Sequence, residues 1–417
     1  MIKNKQTFIS LLIVAMALGT AWAIRGKFGH EQGAAWAGAI GAISVVLVAK
    51  RTDWYNKVFK IAMAAAVGWG LSGMISYGQI VGYGRGSDFG NVYYGLLMLF
   101  VIGVLYGFLG GGLFGLALAD SKEFKVSWAP LMTEMVAFAL LTYGLLINQL
   151  EWVMTPPRSE LWAACLGASI ALAWYVLRHK QKGVLKVAVY SALGAGFGFA
   201  FGNFLQALGG ATSLPFNFWN VMEYSIGFFG GLGLAYGTFT SSWPVSNDLP
   251  NKHSHLLPIL FLVIFIPFVL WDQSFVASKL TFILTQGGSE ETIFLFQGIS
   301  LLAIVLCIII MLAKYHLQQY DFASVKSIFI LYLGLYTFLS FLLTGIYVHP
   351  IEQYLYLVNI AVILFVSPAL QNNFEVKEES PGKWAITTVF SMLLIVVFAI
   401  IAIQSHGELG GSQIRFK

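Results

Sequence analysis

Apolar runs of about 20 residues, the length that carries a helix across the hydrocarbon core of a bilayer, follow one another along almost the whole of this chain. Thirteen are read, at 7–24, 34–50, 58–80, 92–118, 129–150, 160–178, 184–208, 219–243, 256–272, 292–314, 323–347, 353–371 and 384–405. The longest connection, 273–291, is too short to house a soluble catalytic or nucleotide-binding domain. Charged residues are 10% of 417 positions, against roughly 25% in soluble proteins, which leaves too few to cover a water-facing surface. The expected fold is all-α: a polytopic integral membrane helical bundle of about 13 transmembrane helices, forming one transmembrane domain over 1–417.

Positive charge resists translocation, so alternate loops report orientation. Most of the 24 basic residues fall on one side, dominated by Lys50, Arg51, Lys57 and Lys60 and by Arg178, Lys180, Lys182 and Lys186. That predicts a multi-pass protein of the cell membrane, the inner membrane in a bacterium, with a cytoplasmic N-terminus and an outer C-terminus. Lys3, Lys5, the first apolar run and Ala21-Trp22-Ala23 imitate a secretory signal with its cleavage site; the expectation is a retained first span. The net charge of +5 is scattered at helix ends and forms no patch for nucleic acid. Cys165 and Cys307 stand in separate apolar runs and read as packing residues.

Duplication is common in transporter folds. Val58-Phe-Lys60-Ile-Ala62 through Gly68-Trp-Gly70 matches Val184-Leu-Lys186-Val-Ala188 through Gly194-Ala-Gly196. Downstream, Gln79 meets Gln206 and Asn91-Val92 meets Asn220-Val221. Helices 3–6 (58–182) thus resemble helices 7–10 (184–316), and a partial third copy is read over 323–405 from Lys326 and Gly334. Units of four helices keep one membrane orientation, so the repeats would be parallel. The 44 glycines cluster in these segments; tight helix packing accounts for most of them, and the functional alternative is broken helices lining a path.

Two lookalikes carry no chemistry. Gly68-Trp-Gly70-Leu-Ser-Gly73 fits a dinucleotide pattern but lies within an apolar span and follows no strand. Gly26-Lys27 lacks the upstream glycine and the following hydroxyl of a phosphate loop. His253 and His255 form an isolated His-x-His in a loop, and no metal or cofactor is expected. Asp120 and Glu134 read as helix-end salt bridges to Lys122 or Lys125.

The segment joining the first two helices differs in kind. Arg25, Lys27, His30, Glu31 and Gln32 crowd between two apolar runs at the outer face, with glycines that let the backbone turn. Tyr77 and Gln79 close the third helix and Arg85 follows; Asn203 and Gln206 close the seventh, while Asn220 and Glu223 open the eighth. At 1.5 Å per residue Gln79 lies about 28 Å from Lys60 along a continuous helix, at the same outer level. A carboxylate inside a span, as at Glu223, is costly unless paired or wet. Arg25 or Arg85 suits a carboxylate or phosphate, the amides suit hydroxyls, and Trp219 and Tyr224 read chiefly as interface anchors.

Two functions are kept open. The first is a secondary transporter of a small polar solute, anionic or hydroxyl-rich, bound in the outer half of the bundle, with H⁺ or Na⁺ coupling through Glu31 or Glu223. The second is a membrane-embedded transferase or hydrolase at the outer leaflet, with His30 and Glu31 as acid and base and Arg25 binding the anionic group. The expected partners are the lipid bilayer and a small-molecule solute, with a homo-oligomer left open.

Overall fold

The computed structural model describes residues 2–245, 252–315, 320–371, 374–378 and 380–416. Among them the regular structure is helical throughout, with no strand. Among the described residues ten helices are long and apolar enough to cross a membrane.

The first nine helices used below are α1 (Ile2–Arg25), α2 (His30–Ala49), α3 (Val58–Ser72), α4 (Gly78–Tyr83), α5 (Phe89–Ala119), α6 (Trp128–Tyr143), α7 (Trp162–Arg178), α8 (Lys182–Gly210) and α9 (Phe218–Phe239). Then come α10 (Lys252–Leu260) and α11 (Ile266–Ser274), joined through a π turn, α12 (Glu290–Tyr315), α13 (Phe322–Ser340), α14 (Ile351–Val366) and α15 (Pro381–Ser405). The expected span 58–80 is not one helix: α3 stops at Ser72 and the chain resumes as the short α4 after Gly73–Tyr77. Gln79 therefore reaches its level through this break and not along a continuous rod. The expected span 160–178 is a 17-residue helix. The helix at 219–243 is long enough but less apolar, because Asn220, Glu223 and several glycines dilute it.

Six helices, α1, α2, α3, α5, α8 and α9, form a closed ring in which each packs on the next. Neighbours run antiparallel, as paired levels show: Gly103 of α5 meets Ala195 of α8 while Gly107 meets Ser191, and Gly227 of α9 meets Leu18 of α1 while Gly231 meets Val14. Without a hydrophobic drive between helices in lipid, such close backbone approach supplies the dispersion contacts that hold a bundle together. Gly68 and Gly194, matched in the sequence, do the same thing locally. Gly68 abuts the backbone of Leu109 and Gly110 in α5, and Gly194 abuts that of Phe229 and Gly233 in α9.

Outside the ring the surface is apolar, with Leu141 71%, Phe365 83% and Ile386 71% exposed. Water would penalise such a surface by roughly 25 cal/mol per Å², whereas acyl chains do not. On the face away from Arg25, buried Asp120 receives the Lys60 ammonium and the Val126 N–H at 3.1 Å, with Lys125 at 3.7 Å. Lys57 donates to the Asp120 carbonyl at 2.5 Å, and burial pulls its pKa down. Glu134 pairs with Arg178 at 2.6 Å, not with the lysines expected from its loop.

A Cβ on Gly103 would lie 2.5 Å from the Ala195 carbonyl oxygen, whereas one on Gly334 in α13 meets nothing within 4 Å. Gly103→Ala should therefore cost about 1–3 kcal/mol through forced separation of α5 and α8. Gly334→Ala should be neutral or stabilising by up to about 1 kcal/mol. Thermal unfolding in detergent checks both, and equal shifts would remove close approach as the cause.

Candidate functional site

α1 ends at Arg25 because Gly26-Lys27-Phe28-Gly29 turns the chain, with Lys27 N–H bonding Ile24 O at 3.0 Å and Phe28 N–H bonding Arg25 O at 2.9 Å. The Arg25 side chain stays inside the bundle at 2% exposure. A cation there also complements the negative end of the α1 dipole. On the adjacent ring helix, Asn217 caps α9 by accepting the Asn220 N–H at 3.2 Å, and Glu223 follows about a turn later. At the end of α3, the Ser72 hydroxyl bonds Gly68 O at 3.1 Å, and Gly73 packs tightly on the backbone of His30 and Glu31. The break that follows delivers Tyr77 to the same point.

There Arg25, Glu223, Tyr77 and His30 form one network. Arg25 Nη2 donates to Glu223 Oε1 at 3.0 Å and Oε2 at 2.8 Å, and also to the Tyr77 hydroxyl. Tyr77 in turn donates to Glu223 Oε1 at 2.8 Å. Arg25 Nη1 lies 3.1 Å from His30 Nδ1. Guanidinium can only donate, so Nδ1 is the acceptor, His30 is neutral in this arrangement, and its Nε2 carries the proton. The guanidinium also sits over the Trp22 ring at 5.1 Å and the Tyr77 ring at 5.5 Å. Below the network the centre of the ring is filled by aromatics: Trp22 meets Trp69 at 5.1 Å and Tyr106 at 5.6 Å, and Tyr106 meets Phe199 at 5.3 Å.

Above it opens a cavity of 470 Å³. Of the residues singled out in the sequence, Arg25, His30, Tyr77, Gln79 and Glu223 line it together. The other six lie elsewhere. Glu31 is exposed on the first turn of α2 and does not line the cavity. Gln32 is buried against Gln273, to which it donates at 2.5 Å. Arg85 is half-buried outside the lining, with an unpartnered Nε. Asn203 donates to Gln206 at 3.1 Å and to Val81 O at 3.4 Å, so this pair holds α8 against α4. Asn220 donates to Ala23 O at 3.2 Å and to Tyr356 at 2.5 Å, tying α9 to α1 and α14. The carboxylate partner of Arg25 is thus Glu223, 198 residues away, not its near neighbour Glu31.

Arg158 is the lining residue that the sequence reading missed. Its loop is held by buried Glu160, which accepts from Met154 N and Thr155 N at 2.8 Å and from Trp162 Nε1 at 2.7 Å. The available signal was a lone basic residue in the loop between two apolar runs. Trp219, read as an anchor, lines the cavity as well, beside Ser76. Gln79 is tied to the C-terminal tail, donating to Gln413 at 2.9 Å, while Gln413 N–H bonds Gly82 O at 3.0 Å.

Among the described residues no group of three or more His, Cys, Asp or Glu could hold a metal; the side chains of His253 and His255 lie outside the described residues. Fold and site together define a helical bundle of the multi-pass membrane class with a charged network under a polar cavity. Neither a protein-family model, nor a curated protein, nor a solved structure matches the chain.

Removing one partner of a buried ion pair strands the other, at a cost of about 3–5 kcal/mol. Glu223→Gln should lose that much stability, and Arg25→Met combined with Glu223→Gln should recover a large part of it. A double-mutant cycle on unfolding in detergent measures the coupling; losses that simply add would show that the two do not act as a pair.

Proposed function

We propose that the chain is a secondary transporter of a small polar solute, anionic or hydroxyl-rich, which binds in the cavity above the Arg25–Glu223 network. The observation that carries this reading is the junction of a 470 Å³ polar cavity with a fully buried ion pair and an aromatic plug along one axis of a helical ring. A structural ion pair could sit anywhere in the bundle, whereas this one forms the floor of a cavity. Charged groups inside membrane bundles ordinarily mark solute or proton pathways. The broken α3–α4 segment, which contributes Tyr77 and Gln79, matches the way transporters place irregular backbone beside a binding site.

The reading carries a topology of thirteen crossings, N-terminus cytoplasmic and C-terminus outside, with the cavity toward the outer face. Parallel repeats of helices 3–6 and 7–10 are supported by the like packing of Gly68 and Gly194 on the next ring helix. A transferase or hydrolase using His30 and Glu31 draws less support, because Glu31 does not line the cavity and His30 Nδ1 faces Arg25.

Gly78 lines the cavity, and a Cβ placed on it meets nothing within 4 Å. Gly78→Trp should therefore fold normally while filling the solute space. Proteoliposomes bearing the wild type should take up or exchange at least one member of a panel of sugars and organic acids, and the variant should lose at least about 90% of that flux, a loss of roughly 1.4 kcal/mol or more in transport efficiency. A wild type silent across the panel would sink the transport reading.

A further inference from the structure

Five charged or titratable side chains line the cavity near its floor or rim: Arg25, Arg158, His30, Tyr77 and Glu223. Glu223 is the one carboxylate among the lining residues, and its charge already answers Arg25. The exposed Arg158 guanidinium makes no ion pair among the described residues. The field in the cavity is accordingly that of an uncompensated cation, which draws anions.

The way Glu223 is held narrows the class of anion. Both of its oxygens lean on the single nitrogen Nη2, and Oε1 also accepts from Tyr77. This is not the fork of two parallel N–H bonds that guanidinium and carboxylate form when unconstrained. The Nε of Arg25 is buried without a partner. The floor is therefore built to hold a carboxylate, holds one through part of its capacity, and has a donor to spare. A second ionised carboxylate cannot simply join the first, because two like charges within a few ångströms, out of water, push one of them to take a proton.

We infer that the cavity binds a small organic carboxylate together with one proton, the proton neutralising Glu223 while the solute carboxylate takes its place on Arg25. The charges balance: one proton and one anion enter, Glu223 becomes a carboxylic acid able to donate a hydrogen bond, and Arg25 keeps one negative partner throughout. No bond other than O–H is made. Arg25 from α1 and Tyr77 before α4 touch Glu223, and His30 from α2, Tyr106 from α5, Tyr336 from α13 and Tyr356 from α14 lie close enough to interact with it electrostatically. Of these, imidazole is the group whose ordinary range lies near neutral pH, so proton uptake at His30 and at Glu223 must be separated by experiment.

This inference rests on the cavity being the solute site, but its test is equilibrium binding and does not depend on flux. Purified full-length protein in detergent is titrated calorimetrically with acetate, lactate and gluconate, each in two buffers of different ionisation enthalpy. The expected result is uptake of one proton per carboxylate bound and an affinity that falls about tenfold per pH unit above the pKa of the proton-accepting group. Glu223→Gln, which mimics the protonated acid, should bind near pH 7 without that dependence and gain thermal stability from the ligand; His30→Gln should keep it. Arg158→Gln should weaken binding by about tenfold or more, as for a lost hydrogen bond to a charged group. The inference is overturned by carboxylate binding without proton uptake, by pH dependence that vanishes in His30→Gln, or by equal affinity for neutral polyols. Should Glu223→Gln not fold, the wild-type proton count and the His30 and Arg158 variants still decide. Uptake of a neutral solute without carboxylate binding would overturn this inference alone, and proton-linked carboxylate binding without vesicle flux would overturn the transport reading alone.

Discussion

A guanidinium buried between apolar helices must find an anion, and in this bundle Arg25 finds Glu223. The requirement fixes more than two side chains. It demands that the end of α1 and the start of α9 lie at one level and face one another, which they do as antiparallel neighbours closed by Gly227 against Leu18. It also demands a further donor to the carboxylate, supplied by Tyr77, and Tyr77 reaches that point only because α3 stops at Ser72. A helix continued to residue 80 would carry Tyr77 on along its own axis, with its backbone groups tied within the helix. The break, the ion pair and the cavity above them are one structural solution.

The ring around this centre is stiff for a different reason. Where α8 meets α5 and α9, backbone rests on backbone, with carbonyl oxygens of Ala195 and Phe229 beside glycines that have no side chain to hold them away. Such interfaces pack at the density of a crystal and deform reluctantly. The aromatic plug of Trp22, Trp69, Tyr106 and Phe199 fills the space that a ring of six helices would otherwise leave at its axis. Asp120, with Lys60 and Lys57, closes the far face.

What could be read from the sequence follows from what one-dimensional pattern encodes. Length and hydropathy reveal apolar helices: each of the thirteen apolar runs contains one, and among the described residues ten are long and apolar enough to cross a membrane. Depth is also legible, because residues can be counted along a rod. Counting places Arg25, His30 and Glu223 at one level, whereas Tyr77 and Gln79 join them in the cavity through the break after Ser72. Azimuth is not legible without the packing. Glu31 and Gln32 follow His30 directly, yet each successive residue turns about 100° around the axis, so one faces out and the other faces Gln273. Asn203 and Gln206 sit at the right depth on a face occupied by α4. Arg158 escaped because its loop carries no periodicity, and its placement comes from a buried carboxylate, Glu160, that gathers backbone N–H groups around it.

Under the transport reading, the contacts around the cavity floor say which elements are coupled. The glycine contacts of α5, α8 and α9 make sliding there costly, since every backbone contact along the interface would be lost at once. The Gly73–Tyr77 break is closed by local backbone bonds, Gly73 N–H to Trp69 O and Ile75 N–H to Ser72 O, both at 3.0 Å, and by Gly73 against the backbone of His30 and Glu31, and it carries Tyr77 directly to the carboxylate. Its continuation α4 is fastened from outside by the tail, through Gln413 on Gln79 and Gly82, while Arg415 and Phe416 anchor on Asn91. Neutralising Glu223 would weaken its hold on Arg25 and on Tyr77 together, because Tyr77 donates to the same oxygen. The electrostatic event at the cavity floor and the break between α3 and α4 are thereby joined through a single hydroxyl, so a change of charge on Glu223 reaches that break through Tyr77.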